Sequence, residues 1–330
     1  MSSSTDLLDL VHDVADEDDA DILAYFADIN RPDDDWLIDQ CRHRPRRKNL
    51  ILVLTTHGGD PNAAFRIGRC LQMVYSPKRD ESAALTQSSP AAGKFTVLVN
   101  SVCKSAGTLI ALSADKLLMT GNAELGPLDI QLRKPEEVGE RTSGLTPIQA
   151  LQNLEFQAAS LFKRHFRTLR FDNDLTFSTR MAAEIATKLT TGLLGPIYEQ
   201  IDPLRLAEVN RSLTISSEYA ERLSKNLKDG ALEKLVMSYP SHGFVIDREE
   251  AKTLFANVDR PSDKLFQVAE AFKTISSDYV ERGERFIAFL NDKPRNDNEE
   301  VAREAVDAQD PDGQVDGGAG ASNRQASSDV

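Results

Sequence analysis

Two corners of the sequence combine residue types suited to acyl chemistry. The first lies within Phe95–Leu132, FTVLVNSVCKSAGTLIALSADKLLMTGNAELGPLDIQL, where an apolar run breaks at a small-residue junction and resumes with helical spacing. Ser105 stands at that junction. A serine hydroxyl is a poor nucleophile until a base takes its proton, so this corner needs a basic partner from elsewhere in the chain. At the start of a helix the partial positive charge also favours any negative charge that develops beside it. The competing role for Ser105 is the N-cap of a buried helix, a position serine favours. Ser101 is the neighbouring rival nucleophile, but it lacks the following Ala-Gly and lies closer to the strand. The second corner is Thr56-His57-Gly58-Gly59-Asp60-Pro61. A Gly-Gly pair turns backbone N–H groups outward with no side chain in the way, as an oxyanion site requires.

Each corner needs a strand before it and a helix after it. Asn49–Thr55 is a hydrophobic strand and Ala63–Val74 has helical spacing; Phe95–Val99 alternates and is β-rich, and Ala106–Ala114 is small and apolar, suiting a helix packed tightly on a sheet. Gly107 permits close packing of that helix. Strand, corner and helix repeated in this way predict an α/β fold.

In order, these elements read strand, T-x-G-G-D, helix, strand, x-x-S-A-G-T-L-I-A-L-S-A-D, strand, E-L-G-P-x-D. That order resembles the serine dehydrogenase proteinase family and, more distantly, the Clp protease and signal peptide peptidase A group of the Clp/crotonase fold. The resemblance covers Asn49–Gln131 and reappears at Tyr239–Leu254. It implies a Clp/crotonase-type core of repeated βαβ units and a serine peptidase that forms an acyl-enzyme on Ser105. It also implies no metal or organic cofactor, a peptide or protein substrate, and homo-oligomerisation through a helical excursion.

A base and an acid must accompany Ser105. Of His12, His43, His57, His165 and His242, the first two lie outside the matching region, and His165 falls in a helix-like stretch of Phe, Lys and Arg. His57 abuts the Gly-Gly turn and reads as turn structure or substrate contact. His242 lies in a segment similar to the family's late S-H-G-x-x-I-x-x-x-E-A motif, which marks it as general base. The position that holds the base in Clp proteases falls at Asp129, so the resemblance implies that histidine and acid have exchanged places; geometry, not chain order, defines a triad. Glu124, Asp60 and Asp247 are rivals for the acid, and a turn role for Asp129 is the other reading. The expected oxyanion donors are the N–H groups of Gly58, Gly59 and Ala106. A Ser–Lys dyad is the alternative mechanism, with Lys134 as base and Lys104 after it; a lysine base needs burial or cationic neighbours, and the surroundings of Lys134 are charged and wet. A crotonase-type acyl-CoA enzyme and a catalytically inactive assembly or adaptor protein are the remaining readings on this fold.

Composition bounds these readings. A length of 330 residues with 40% hydrophobic content suits a sizeable core. A net charge of −13 argues against a nucleic-acid partner, despite the basic cluster Arg42–Lys48. Cys41, Cys70 and Cys103 have no metal-ligand spacing and suit reduced thiols in the cytoplasm. The N-terminus lacks the features of a signal peptide, and no stretch approaches the ~20 apolar residues of a membrane span. The domain expectation is an acidic helical arm over 1–48, the hydrolase domain over 49–290 and a disordered acidic tail over 291–330. The arm comprises one or two amphipathic helices over Thr5–Ile29 and a short one at Trp36–Cys41. Within the hydrolase domain a helical excursion spans about 146–226, long helices run over Thr146–Leu189, a helix pair lies at Pro203–Asn226, and a last helix covers Pro261–Gly283. Ser76–Lys94 reads as an exposed loop.

Overall fold

Six parallel strands, four of them followed by a helix as the next element, build most of the sheet that carries both corners. The computed structural model describes residues 4–77, 93–128, 131–133, 141–143, 145–172 and 177–292. Helix α1 (Ser4–Glu17) leads into β1 (Ala20–Phe26), α2 (Asp33–His43), β2 (Asn49–Thr56), α3 (Pro61–Tyr75), β3 (Phe95–Cys103), α4 (Ala106–Leu112), β4 (Lys116–Met119) and the two-residue β5 (Glu124–Leu125). A hairpin, β6 (Gln131–Arg133) and β7 (Arg141–Ser143), precedes α5 (Leu145–Arg167), α6 (Thr179–Tyr198) and α7 (Pro203–Leu223). After α7 come α8 (Ala231–Glu233), α9 (Arg248–Leu254), β8 (Val258–Asp259), α10 (Asp263–Arg282) and β9 (Phe286–Phe289). The protein is α/β, with strands in the order β8-β4-β3-β2-β1-β9 and β5 paired to β3. Only the β1–β9 pair on this path is antiparallel.

Alternate residues of each strand feed two cores. Leu23, Leu52, Leu54, Val97, Val99 and Leu117 face α2, α3, α4 and α7. Ile22, Ala24, Ile51, Val53, Leu98 and Leu118 face α1 and α10. Strands buried on both faces read as continuous apolar runs, which is why β2 and β3 are visible in the sequence.

The segment Ala20–Phe26 departs from the helical expectation for Thr5–Ile29. ADILAYF is buried along its whole length and pairs with β2 from Ala20↔Asn49 to Phe26↔Thr55. A seven-residue, mostly apolar run is ambiguous by periodicity, and two-sided burial decides it here. Residues 20–48 are therefore part of the sheet domain and not of a separate arm, because β1 lies inside the sheet between β2 and β9. Pro203–Asn226 forms the single helix α7 rather than a pair, and it packs on the core: Phe65 stacks on Tyr219 at 4.3 Å and Gln72 Nε2 donates to the Leu223 carbonyl. The excursion thus narrows to α5 and α6. Strand β9 was not expected; it lies just past the left-handed Gly283 that ends α10. Residues 78–92 of the expected loop and 293–330 of the expected tail lie outside the described residues.

Strand β1 carries one buried acid, and its partners hold β1, α2, α3 and the segment after β9 together. Asp21 accepts from Tyr75 Oη at 2.7 Å, from the Arg47 N–H at 3.1 Å and from Asn291 Nδ2 at 3.1 Å, and it pairs with Arg44 at 2.9 Å. Arg44 also binds Asp292 and lies 3.8 Å over the Phe289 ring. Burial pushes the Asp21 carboxyl up, but the bonds from Arg44, Tyr75 and Asn291 and the Arg44 charge outweigh it, so the net shift is downward. A lowered folded value stabilises the fold above the ordinary aspartate value of about 3.9, and that contribution is lost as pH falls through the lowered value. Asp21→Asn is expected to cost about 1–3 kcal/mol, because it removes charge-assisted hydrogen bonds from a buried site while Arg44 keeps Asp292 as a charge partner. Urea midpoints measured from neutral pH downward are expected to decline less steeply with acid in the variant; parallel declines would show that Asp21 is not a source of the acid sensitivity.

Candidate active site

Both corners lie at the carboxyl ends of neighbouring parallel strands, the edge where α/β sheets place their ligands. Strand β2 ends in the Gly-Gly turn and β3 ends at Lys104-Ser105. Between Leu54↔Val99 and Thr56↔Cys103 the β2–β3 register shifts, so β3 bulges over Asn100–Val102 just before the corner. Asn100 pins this bulge: its Oδ1 accepts from Thr55 Oγ1 at 3.0 Å and its Nδ2 donates to the Ala269 carbonyl at 2.8 Å.

Ser105 has φ +50° and ψ −110°, in the half of backbone space that glycine favours. The Gly107 N–H donates to the Lys104 carbonyl at 2.8 Å across it, so residues 104–107 form a type II′ turn with serine where glycine is preferred. Such a residue costs about 1–3 kcal/mol and persists only where its surroundings over-determine it. The same strained strand-to-helix turn presents the serine in nucleophile elbows. Ser105 makes no side-chain cap bond to α4, so the N-cap role is not what holds it there. Ser101, the rival, hydrogen-bonds Ser277 of α10 at 3.1 Å.

Glycines let the backbones converge. A Cβ on Gly58 would lie 3.0 Å from Ser105 Cβ and 3.5 Å from the Ala106 nitrogen, and one on Gly107 would lie 2.4 Å from Thr56 Cγ2. A Cβ on Gly59 would lie 2.1 Å from the Ile29 carbonyl oxygen. Of the expected oxyanion donors, Gly58 is occupied locally: its N–H donates to Thr56 Oγ1 at 3.0 Å. The Ile29 N–H donates to the Gly58 carbonyl and the Asp60 N–H to the Ile29 carbonyl, both at 2.7 Å, as in a parallel bridge on the β1 side. The Gly59 N–H therefore turns to the other side, toward the continuation of β3. Ala106 opens α4, so its N–H has no acceptor within the helix. The Gly59 turn and the start of α4 at Ala106 thus lie beside one another at the carboxyl ends of β2 and β3.

The segment that bears His242 reaches the same edge. Ile246 exchanges two backbone hydrogen bonds with Leu125, at 2.9 and 3.0 Å, and Leu125 pairs with Cys103. His242 is half-buried in the turn before this pairing, and the Tyr239 and Phe244 rings flank it in sequence with centroids 4.9 Å apart. His57 is exposed at the tip of the Gly-Gly turn; His12, His43 and His165 lie in α1, α2 and α5. Among the candidate acids, Asp60 caps α3 through the Asn62 N–H, Asp247 caps α9 through the Glu250 N–H, and Glu124 pairs with Lys104 at 3.1 Å. Asp129 and Lys134 lie outside the described residues. Cys103, buried beneath the corner, has its thiol pushed up to about 12 by burial, with the Lys104 charge pulling the other way.

No family model matches the chain. Two uncharacterized proteins of Methanocaldococcus jannaschii are similar to it: MJ0137 at 26% identity over 74% of this chain, and MJ1495 at 32% identity over 50%. The chain spans 66% and 52% of their respective lengths. Among solved structures, ThnE from S. clavuligerus aligns over 61% of this chain and 96% of its own at 12% identity, with a TM-score of 0.23, too low to indicate a shared fold.

The strain at Ser105 predicts opposite effects from two small substitutions. Ser105→Gly relieves it, offset by about 0.5–1 kcal/mol of glycine's backbone entropy, whereas Ser105→Ala keeps it. The glycine variant is expected to be more stable than the alanine variant by roughly 1–2 kcal/mol in urea unfolding. Equal stabilities would show that the turn is unstrained in solution.

Proposed function

We propose that this chain is a serine peptidase related to the serine dehydrogenase proteinase family, with Ser105 as nucleophile and His242 as general base. The observation that carries the reading is the positive φ of Ser105, in a type II′ turn set against Gly58. Strain at a hydroxyl-bearing corner is worth retaining where the hydroxyl must project from the sheet edge.

In the proposed cycle the imidazole takes the Ser105 proton as Oγ adds to the scissile carbonyl. The oxyanion that forms is received by the N–H groups of Gly59 and Ala106. The imidazolium returns the proton to the leaving amine, and the acyl-enzyme is then cleaved by a water that the same imidazole deprotonates. Asp129 orients the ring in this scheme; the three rival carboxylates have capping or ion-pair roles, which supports assigning the task to it. The substrate class is a peptide or protein. A crotonase-type acyl-CoA reaction leaves the strain at Ser105 without a purpose, which places it second.

We further propose that the chain associates with copies of itself through α5 and α6. Phe156, Leu193 and Ile197 expose apolar side chains on these helices, and Phe156 is 73% exposed. No helix among the described residues is long and apolar enough to cross a membrane.

A fluorophosphonate probe is expected to label Ser105 covalently, and Ser105→Ala to abolish the label. His242→Ala is expected to slow labelling by about 100-fold or more, the usual contribution of a general base. A folded protein that resists the probe, or labelling indifferent to His242, overturns the mechanism. Leu193→Asp combined with Ile197→Asp is expected to lower the sedimenting mass; an unchanged mass removes this face as the contact.

A further inference from the structure

We propose that Lys104 is a positioning residue whose ammonium holds the His242-bearing segment 241–246 against the strand end that carries Ser105. The inference rests on the assignment of Ser105 and His242 as the reacting pair and adds a part to it. Lys104 is only 8% exposed and is the first residue of the strained turn. Its Nζ lies 3.1 Å from Glu124 Oε2, 3.3 Å from the Leu125 carbonyl oxygen and 3.3 Å from the Phe244 carbonyl oxygen. An ammonium has three donors and no acceptor, and these three oxygens match them. Two of the acceptors belong to β5 and the third to the histidine segment, so one cation joins three lengths of chain.

The fold makes room for this side chain specifically. A Cβ on Gly126 would lie 2.6 Å from Lys104 Cδ and 3.2 Å from its Cβ, so the aliphatic stem runs along a groove that any other residue at 126 would close. A buried charge is costly unless paired, and an apolar side chain would fill the same groove without that cost. What the charge adds is a bond to a carbonyl that no apolar residue makes. The Leu125–Ile246 pair holds the segment at one end. The Phe244 carbonyl, two residues nearer His242, is held by Lys104 instead of by a strand. With all three donors so engaged, Lys104 is placed to carry structure rather than to accept the serine proton.

Lys104→Met keeps the length of the stem and removes the ammonium. Hydrogen exchange of the full chain, followed by mass spectrometry, is expected to quicken about tenfold or more at 244–247, the scale of a lost hydrogen bond to a charged group. Peptides from β1 and β2 are expected to stay unchanged and so report an intact fold. Unchanged exchange at 244–247 in folded Lys104→Met overturns the proposal. If that variant does not fold, Lys104→Gln removes the ammonium and leaves a shorter polar side chain beside Glu124; faster exchange in the same peptides supports the tether, and wild-type exchange there overturns it. A second readout separates positioning from simple stabilisation. Fluorophosphonate labelling of the wild type is expected to rise with pH through the range where imidazoles lose their proton. In Lys104→Met the rate is expected to fall about tenfold and that rise to flatten, because the base is no longer held in place. Labelling with wild-type rate and pH profile overturns the proposal. Accelerated exchange in a protein whose wild type never labels supports the tether and refutes the hydrolase reading instead.

Discussion

The architecture of the corner depends on how closely separate lengths of backbone approach one another. Gly59 lies against Ile29, Gly58 against Ser105, Gly107 against Thr56 and Cys103, and Gly126 against Lys104, each at a distance that a Cβ would not allow without displacement. Parallel strands set their carboxyl ends side by side, and the absence of side chains at these four points lets the connecting turns close over those ends. Serine at a glycine-like φ is the exception: here the chain tolerates the strain and keeps a hydroxyl.

Much of this was legible in the sequence, for identifiable reasons. Strands β2 and β3 are buried on both faces and announce themselves as unbroken apolar runs. Helix α3 begins with Asp60 and Pro61, a cap followed by a residue suited to the first turn, and so could be placed closely. Strand β1 was not legible: ADILAYF is short, begins just after an acidic helix and carries an aspartate, and only its pairing with β2 and the Arg44 network explains a carboxylate there.

The corner was legible in its residues but not in its wiring. Ser105 and the Gly-Gly pair stood out by type and spacing. The choice between Gly58 and Gly59 as donor turns on the Thr56 hydroxyl and on the bridge to Ile29, a contact between segments that lie apart in the chain. Lys104 was read as a remote candidate for a base because it stands beside Ser105. Its three oxygen partners lie up to 140 residues away along the chain, so no local pattern could reveal them. Glu124 was likewise weighed as an acid, and its pairing with Lys104 gives it a different occupation.

Asn100 links the two sides of the sheet. Its carbonyl end engages Thr55 on β2 while its amide end reaches through to the backbone of α10 at Ala269. Helix α10 therefore cannot slide along its face of the sheet without breaking a buried hydrogen bond or drawing the bulge of β3 with it. The depth at which Ser105 sits at the strand end is thus set partly from the other face of the sheet, by the register of α10.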